Sequence, residues 1–460
     1  MNSISKIAVA GLLLAASMSS CNIYNKFALP TDKSEIASEY AKARAGESDT
    51  ISFGTTPWRE VFTDPALVSL IEQALQNNVN LRNAQLNVEA AQAQLQGAKL
   101  SFLPSVALAP NGGGAKYGSS SMTWTYTIPL SVSWEVDIFG RLLNGKRKAQ
   151  AAVLQSQEYR QAVQSQLIAS VANCYYLIAS LKRELALYRA TAKTWQESVE
   201  IMKAFKESGR VTESAVVQSR AQYYGALSAI PDVELQIHEA QNNLSRLLNT
   251  LPQTWDVPED AELSAPANLQ GDIAISRLAN RPDVRAAEQQ LAMAFYAENQ
   301  ARANFYPQLN ISLDGGFTNL LGGLVKNPGE FFINLAGSLV APLFSRGTNI
   351  ANLKVAKAQQ KQALNNFETS ILSASAEVSN AMTLYNKSCE KSVLLAEQTA
   401  NLAKAVEYCS DLMRYSGTTT YIEVLTAQQN LLASQISEIA CSLDKSRAVV
   451  NMYQALCGGK

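Results

Sequence analysis

The residue best placed for covalent chemistry is Cys21, which follows a short apolar segment near the start of the chain. Lys6 precedes an apolar run over 7–18, and two serines separate that run from the cysteine. A run this short cannot span a bilayer as a helix, which needs about 20 residues, so 1–20 is predicted to be a secretory signal peptide. Small residues before a cysteine are typical of a bacterial lipobox, in which that cysteine becomes the acylated N-terminus. The alternative is an ordinary signal peptide with an incidental cysteine, because Met18 stands where the motif usually has Leu.

Other residue types give little support for catalysis or metal binding. His238 is the only histidine among 460 residues, so a His-rich metal site cannot be built from this chain. The net charge is zero, which gives no electrostatic basis for binding nucleic acid. We therefore expect no enzymatic activity, no metal site, no nucleic-acid partner and no cofactor apart from a covalent lipid on Cys21. The remaining cysteines are odd in number and lie among apolar neighbours, which does not indicate a disulfide framework; they are Cys174, Cys389, Cys409, Cys441 and Cys457.

One segment alternates between apolar and polar residues from Trp124 to Ile138, a run of fifteen positions. A strand of this length is unusual in a soluble domain. Trp124 and Trp134 would lie about 33 Å apart along a strand. With a tilt of roughly 40° that distance approaches the apolar band of an outer-membrane barrel, which is about 25 Å tall and has an aromatic girdle at each edge. We predict that Trp124, Tyr126 and Trp134 belong to such a girdle; the alternative is a half-buried strand of a soluble sandwich.

The chain repeats itself after slightly more than 200 residues. Three landmarks recur in order at nearly constant offsets of 203, 205 and 208, namely 98–104 with 301–307, 138–141 with 343–346, and 208–218 with 416–426. Collinear matches of this kind indicate duplication, and the period is too long for a solenoid unit. We therefore divide the chain into an N-terminal tail over 21–64, a first repeat over 65–250, a Pro-containing linker over 251–272 and a second repeat over 273–460.

Each repeat is predicted to contain a helix, a β-hairpin and two very long helices. The first repeat has its hairpin over 102–138, with a Gly-rich loop over 111–121, and its long helices over 141–207 and 211–249. The second repeat has its hairpin over 305–343, with a loop over 318–329, and its long helices over 349–415 and 420–456. Apolar residues on the long helices are spaced alternately by three and four positions, which is the seam of a coiled coil.

Four strands are too few to close a membrane barrel, whose smallest examples have about eight. An open sheet edge is not viable in lipid. A barrel would therefore be shared among copies, with eight, twelve or sixteen strands for a dimer, trimer or tetramer around a central channel. A lipid-anchored periplasmic coiled-coil scaffold without a pore is the alternative from a different class of protein.

The chain resembles the TolC-type outer-membrane efflux family, and within it the OprM-like lipoproteins of RND efflux systems. The segments that carry the resemblance are 137–141, 280–285, 305–308 and 415–429. It implies a mostly α-helical protein with a membrane β-barrel portion, assembled as a homotrimer into a β-barrel and α-barrel tube. It also implies a lipid-anchored location in the bacterial outer membrane, with a long periplasmic extension. In this family such a tube is the exit duct for drugs or other small molecules, driven by an inner-membrane RND-type transporter through a periplasmic membrane-fusion adaptor. Type I protein secretion and metal efflux use the same architecture and stay open.

The resemblance also locates the sites of such a duct. It implies a periplasmic gate at Ile422 and Thr426 on the last helix, where the second position is usually Asp. Because Thr426 lacks a charge, Glu423 is a second source of acidity at the gate, although a solvated helix residue is the plainer interpretation. The two turns between the long helices are the expected adaptor-docking tips, although glycine capping of the helix ends would explain them equally; they comprise Ser208, Gly209 and Arg210 in the first repeat and Ser416, Gly417 and Thr418 in the second.

Overall fold

The computed structural model describes residues 24–32, 34–45, 56–263, 278–319, 329–416 and 419–456. The lipidation residue Cys21, the signal peptide over 1–20 and the second-tip residues Gly417 and Thr418 lie outside these described residues. Within the described ranges, no helix combines the length and the apolar character needed to cross a membrane.

Both repeats contain a helical segment, strands and two long helices, in that order. The helices α1 (Glu35–Ala45) and α2 (Trp58–Val61) precede the first repeat. The first repeat contains α3 (Pro65–Asn77), α4 (Val79–Leu100), β1 (Ser105–Leu108), β2 (Asn111–Ala115), β3 (Thr123–Val136), α5 (Arg141–Glu207) and α6 (Glu213–Leu247). The second repeat contains α7 (Pro282–Ala303), β4 (Gln308–Thr318), β5 (Glu330–Val340), α8 (Thr348–Asp411) and α9 (Tyr421–Ala455). A five-residue π-helical segment, Leu412–Ser416, continues α8.

The chain divides into two compact units, and each unit takes segments from both repeats. The sheet unit comprises Met1–Ser38, Leu86–Glu158 and Arg285–Thr369. The helical unit comprises Glu39–Gln85, Tyr159–Val284 and Ser370–Lys460. The two repeats are therefore not separate compact domains, because the strands of one repeat pair with those of the other and cannot bury their backbone groups alone.

The start of α5 is fixed by two residues that precede it. The carboxylate of Asp137 accepts hydrogen bonds from the backbone N–H groups of Leu142 and Leu143, at 3.0 and 2.7 Å. These bonds satisfy two of the donors that every helix start leaves unpaired. Gly140 turns the chain between strand and helix with a φ of +70°, a conformation that glycine adopts without strain.

The first hairpin differs from its prediction. Strands β1 and β2 both pair with β3 in one continuous antiparallel register, so they act as one strand interrupted at 109–110. Pro110 has no backbone N–H to donate at the interruption. The predicted loop over 111–121 is therefore wrong in its first half, where Asn111–Ala115 forms β2. Its three consecutive glycines lack the branched and aromatic side chains by which a strand is recognised from sequence.

A single sheet joins the two repeats. Strand β3 pairs with β4, and β4 pairs with β5, both in antiparallel fashion, which gives the order β1–β3–β4–β5 with β2 also on β3. The outer edges of β1 and β5 have no strand partner among the described residues. One face of the sheet exposes large apolar side chains, including Trp124, Ile128, Leu130, Trp134, Phe331, Ile333, Leu335 and Leu339.

The helical unit has its own apolar core, centred on the fully buried Tyr175 of α5. The hydroxyl of Tyr175 donates to Asp64, whose carboxylate also caps α3 by accepting from the backbone N–H of Ala66 at 2.9 Å. The rings of Phe62 and Tyr453 meet edge to face with centroids 5.7 Å apart. The core therefore ties the start of the first repeat to the last helix of the second.

Candidate functional site

The turn between α5 and α6 ends the first of these helices with a Schellman motif. Gly209 has a φ of +73°. Its backbone N–H donates to the carbonyl of Lys206 at 2.9 Å, and that of Arg210 donates to the carbonyl of Phe205 at 2.8 Å. These are the two hydrogen bonds that define the motif, and the hydroxyl of Ser208 adds a third to Phe205 at 2.9 Å. The predicted docking residues of the first tip thus also form the helix cap.

Arg210 additionally links the first tip to the second pair of long helices. Its guanidinium carbon lies 4.5 Å from the ring centroid of Phe205, which is a cation–π contact. Its Nη2 donates to the carbonyl of Met413 at 3.4 Å, inside the π-helical segment. Such segments are rare and are found frequently at functional sites.

A small apolar cluster packs behind the two tips, and its buried members include Met202, Val216, Met413, Tyr421 and Val424. The hydroxyl of Tyr421 on α9 is hydrogen-bonded to the hydroxyl of Ser219 on α6, and both groups are buried. Burial raises the pKa of Tyr421, so its hydroxyl is neutral at physiological pH. An open groove of about 590 Å³ lies beside this bond, and its lining includes Arg210, Thr212 and Ile422.

The predicted gate residues Ile422, Glu423 and Thr426 are all exposed on the first turns of α9. The hydroxyl of Thr426 donates to the carbonyl of Ile422 at 2.8 Å, and the two residues share one helix face because they are four positions apart. Tyr421 and Val424 instead belong to the buried cluster. Ile422 is 61% exposed, so its apolar side chain is free to contact a second molecule or to line the predicted gate.

The predicted girdle residues lie on β3. Trp124 and Trp134 are both exposed, and Tyr126 is half-buried. The three residues share one face because their spacing is even. The indole Nε1 of Trp134 donates to the carbonyl of Phe102 at 2.9 Å, which holds this ring at the sheet end nearer α5. Their role as a membrane girdle stays a prediction.

Arg281 is a buried structural residue whose role is not evident from the sequence alone. Its side chain is only 8% exposed, and it forms ion pairs with Asp283 at 2.6 Å and Glu377 at 2.7 Å. It also donates to the carbonyl of Ala455 at 2.8 Å. Burial disfavours its charge, but the two carboxylates outweigh that effect and raise the pKa of Arg281. The Arg-Pro-Asp sequence at 281–283 was the available clue, and only the fold brings α8 and α9 to it.

No group of His, Cys, Asp and Glu that could hold a metal ion occurs in the part of the chain that the structure describes. The predicted functional features that the structure describes are the exposed apolar sheet face, the first tip and the exposed start of α9.

Comparison with known proteins identifies the class of protein to which a chain with these features belongs. The family model described as outer membrane efflux protein matches residues 70–250 and 276–458, and the chain belongs to this family. It is 30% identical over 418 residues to the probable outer membrane lipoprotein SilC of Salmonella typhimurium, with 89% of each chain covered. It is 29% identical over 446 residues to the probable efflux pump outer membrane protein TtgC of Pseudomonas putida, covering 93% of this chain and 91% of TtgC. The solved outer-membrane channel OprN superimposes with a TM-score of 0.83 at 26% identity, covering 91% of this chain and 95% of OprN.

The resemblance inferred from the sequence is thereby confirmed. The chain is an outer-membrane channel that serves as the exit duct of an efflux pump. Its fold class is mostly α-helical with a β-barrel portion and two tandem repeats. The family is one of transport channels, and the outer membrane is the location of this protein.

Proposed function

We propose that three copies of this chain form the exit duct of a tripartite pump for drugs or other small molecules. An inner-membrane RND-type transporter supplies the energy, and a periplasmic membrane-fusion adaptor couples that transporter to the duct. The duct itself is passive. The observation that carries this proposal is the sheet, whose two outer edges have no strand partner among the described residues and one face of which exposes apolar side chains.

The sheet supports a barrel made by several copies. Because β1 and β2 act as one strand, the described part of each chain supplies the equivalent of four strands. Lipid does not tolerate an open edge, so the edge strand β5 of one copy has to pair with the edge strand β1 of the next. Three copies give twelve strands, which lies within the range of membrane barrels.

The duplication indicates which residues meet between neighbouring copies. Within one chain, the ring of Phe139 after β3 stacks on that of Tyr306 before β4, with centroids 5.0 Å apart. When the two repeats are aligned, Phe139 corresponds to Phe344, which follows β5, and Tyr306 corresponds to Leu103, which precedes β1. Phe344 is 86% exposed and Leu103 is 62% exposed. We place these two side chains in contact across the boundary between copies.

Cysteine cross-linking tests both the contact and the number of copies. Leu103→Cys and Phe344→Cys are combined in a background whose native cysteines, except Cys21, are replaced by serine. A short bis-maleimide should convert the double variant into a covalent ladder that ends at the trimer, while each single variant stays uncross-linked. A ladder ending at another number would refute the trimer, and the absence of a ladder would refute the contact.

Contacts of the N-terminal tail support a lipid anchor on Cys21. The ring of Tyr24 lies beside Gly140 at the end of β3, and the Nη1 of Arg147 donates to the carbonyl of Tyr24 at 3.4 Å. Phe27 packs against Phe295 with ring centroids 5.7 Å apart. Three residues span at most about 11 Å, so a lipid on Cys21 would enter the membrane close to the end of the sheet.

We further propose that α8 and α9 move away from α5 and α6 when the duct opens. Near the tips, the described residues of the two pairs are joined by a hydrogen bond between the hydroxyls of Tyr421 and Ser219 and by one that Arg210 donates to the carbonyl of Met413. Ile422 and Thr426 line the closed constriction. An adaptor that binds the groove beside these bonds would favour the open state by contacting it better than the closed state.

Conductance measurements test the gate assignment. Ile422→Ala and Thr426→Ala should raise the resting conductance of the purified channel in planar bilayers and change antibiotic accumulation in cells. Val217→Ala is the matched control, because Val217 is a similarly exposed apolar residue on α6. If both gate variants behave like this control in both assays, Ile422 and Thr426 do not form the gate.

A further inference from the structure

Two cysteines of the helical unit lie at the same level of the α8–α9 pair. The thiol of Cys441 on α9 donates to the carbonyl of Ser388 on α8 at 3.3 Å, and Ser388 directly precedes Cys389. Nearer the second tip, the hydroxyls of Thr399 and Ser434 are 2.9 Å apart, so the two helices are in side-chain contact along this stretch. The backbone that carries Cys389 is therefore already in contact with the sulfur of Cys441.

The two thiols differ in accessibility. Cys441 is buried, whereas Cys389 is half-buried. Tyr385 and Ser392 line an open groove of about 620 Å³. Cys389 lies four positions after the first of these residues and three before the second, which places it on the same helix face. Cys389 therefore lies on the helix face that borders this groove and is partly accessible to a small oxidant, while Cys441 is buried.

The surroundings of Cys441 affect its reactivity in two opposing ways. Burial raises the pKa of its thiol, while the ammonium groups of Lys391 and Lys445 lower it. Cys389 is close enough to contribute to the same balance. Burial makes Cys441 a poor first nucleophile, but a sulfur already beside Cys389 is well placed to react with a mixed disulfide formed there.

We propose that Cys389 and Cys441 form a disulfide in the exported protein, which covalently joins α8 to α9. Exported proteins meet an oxidising compartment in which disulfides form and persist. The proposal requires export but does not depend on the gate, the trimer or the cargo. Because the π-helical segment, the second tip and Ile422 lie between the two cysteines along the chain, the link would make this part of the helix pair a single closed loop.

The reaction is ordinary thiol–disulfide exchange with a disulfide oxidant, either a thiol–disulfide oxidoreductase or glutathione disulfide. The thiolate of Cys389 attacks the oxidant, which breaks its sulfur–sulfur bond, forms a mixed disulfide and releases one thiolate. Cys441 then loses its proton, attacks the sulfur of Cys389 and displaces the second thiolate. Two electrons pass from the cysteines to the oxidant, and two protons complete the released thiols.

Peptide mapping of the full-length protein tests the link without ambiguity. Cells are treated with N-ethylmaleimide before lysis to block accessible thiols. The membrane-purified protein is then unfolded in urea with fresh N-ethylmaleimide, which labels buried thiols, and is digested with trypsin under non-reducing conditions. Cleavage after lysine and arginine places Cys389 in peptide 388–391 and Cys441 in peptide 415–445, each with no second cysteine. Mass spectrometry should find most of both peptides joined, with a mass two hydrogens below their sum, and dithiothreitol should separate them.

Matched variants separate this link from other oxidation. Cys389→Ser should abolish the joined peptide and leave Cys441 as a maleimide adduct, whereas Cys409→Ser, a change at another half-buried cysteine of α8, should leave the joined peptide intact. Dithiothreitol should lower the melting temperature of the wild type but not that of Cys389→Ser. The proposal is overturned if both peptides carry maleimide even after treatment with glutathione disulfide, or if either cysteine pairs elsewhere. The mapping uses unmodified protein, so misfolding of a variant cannot hide that result.

Discussion

Removal of a single hydroxyl at Tyr421 tests how the closed duct is held. Tyr421→Phe deletes the bond to Ser219 but keeps the ring in the apolar cluster behind the tips. Removal of one partner from a buried hydrogen bond costs about 1–3 kcal/mol, because the Ser219 hydroxyl is left unsatisfied. In a threefold duct that opens in one concerted step, three such sites change together. The closed state then loses at least about 3 kcal/mol, which shifts the equilibrium towards opening on the order of 100-fold.

Single-channel recording in planar bilayers measures this change in the closed–open equilibrium as the open probability in the absence of adaptor. Tyr408→Phe is the matched control, because it removes the same hydroxyl from an exposed tyrosine on α8. Ser219→Ala should reproduce the effect of Tyr421→Phe. The double variant should add little to either single change, because both remove the same bond.

Two results would refute this reasoning. One is an open probability of Tyr421→Phe that equals that of Tyr408→Phe while both proteins assemble normally. The other is strict additivity of Tyr421→Phe and Ser219→Ala, which would mean that the two residues affect the duct independently. Either result would leave the hydrogen bond as part of the fold without a role in gating.

Three further changes test the sheet, the helical unit and its charge network. A Cβ at Gly316 would lie 2.0 Å from a carbonyl oxygen of β3, so Gly316→Ala should prevent β3–β4 pairing and deplete the protein from outer-membrane fractions on immunoblots. Gly337→Ala, where no atom lies within 4 Å of the new Cβ, should be present at normal levels. Arg281→Met should lower the free energy of unfolding by about 2–3 kcal/mol, seen as a lower urea midpoint. An unchanged midpoint would mean that the contacts of Arg281 with Asp283, Glu377 and Ala455 do not stabilise the fold. Burial raises the pKa of the Glu262 carboxyl, but hydrogen bonds from Ser442 on α9 and Arg183 on α5 outweigh this effect, so the pKa of Glu262 is lowered. Its stabilising effect is therefore present above its unfolded-state pKa of about 4.3 and is lost as the pH falls through the folded-state value. The melting-temperature difference between the wild type and Glu262→Gln should be positive at neutral pH and disappear in acid.

The long helices and the main strand could be predicted because their signals are local. A proline-free stretch with alternating three- and four-residue apolar spacing predicted 141–207, and α5 spans Arg141–Glu207. Strict alternation predicted a strand over 124–138, and β3 spans Thr123–Val136. Local periodicity is sufficient in both cases because one face of each element is apolar.

The contacts at the site could not be predicted in the same way. Tyr421 and Ser219 lie 202 positions apart, and no spacing rule connects residues on different long helices. The strand Asn111–Ala115 was missed because glycines show no alternation, and only the register with β3 reveals it. Arg281 carried a recognisable sequence, but its partner Glu377 comes from the second repeat's long helix.

The two tips have diverged in a way that bears on which helix pair moves. The first ends in a complete Schellman motif at Gly209, in which every hydrogen bond of the cap is made within the turn. The second helix ends in the π-helical segment Leu412–Ser416, and a carbonyl of that segment accepts from Arg210 of the first tip. The hydrogen bond from Arg210 to Met413 has to break when α8 and α9 separate from α5 and α6, whereas the hydrogen bonds of the first tip do not. The exposed start of α9 follows directly after this segment, which supports the proposal that α5 and α6 stay fixed while α8 and α9 shift.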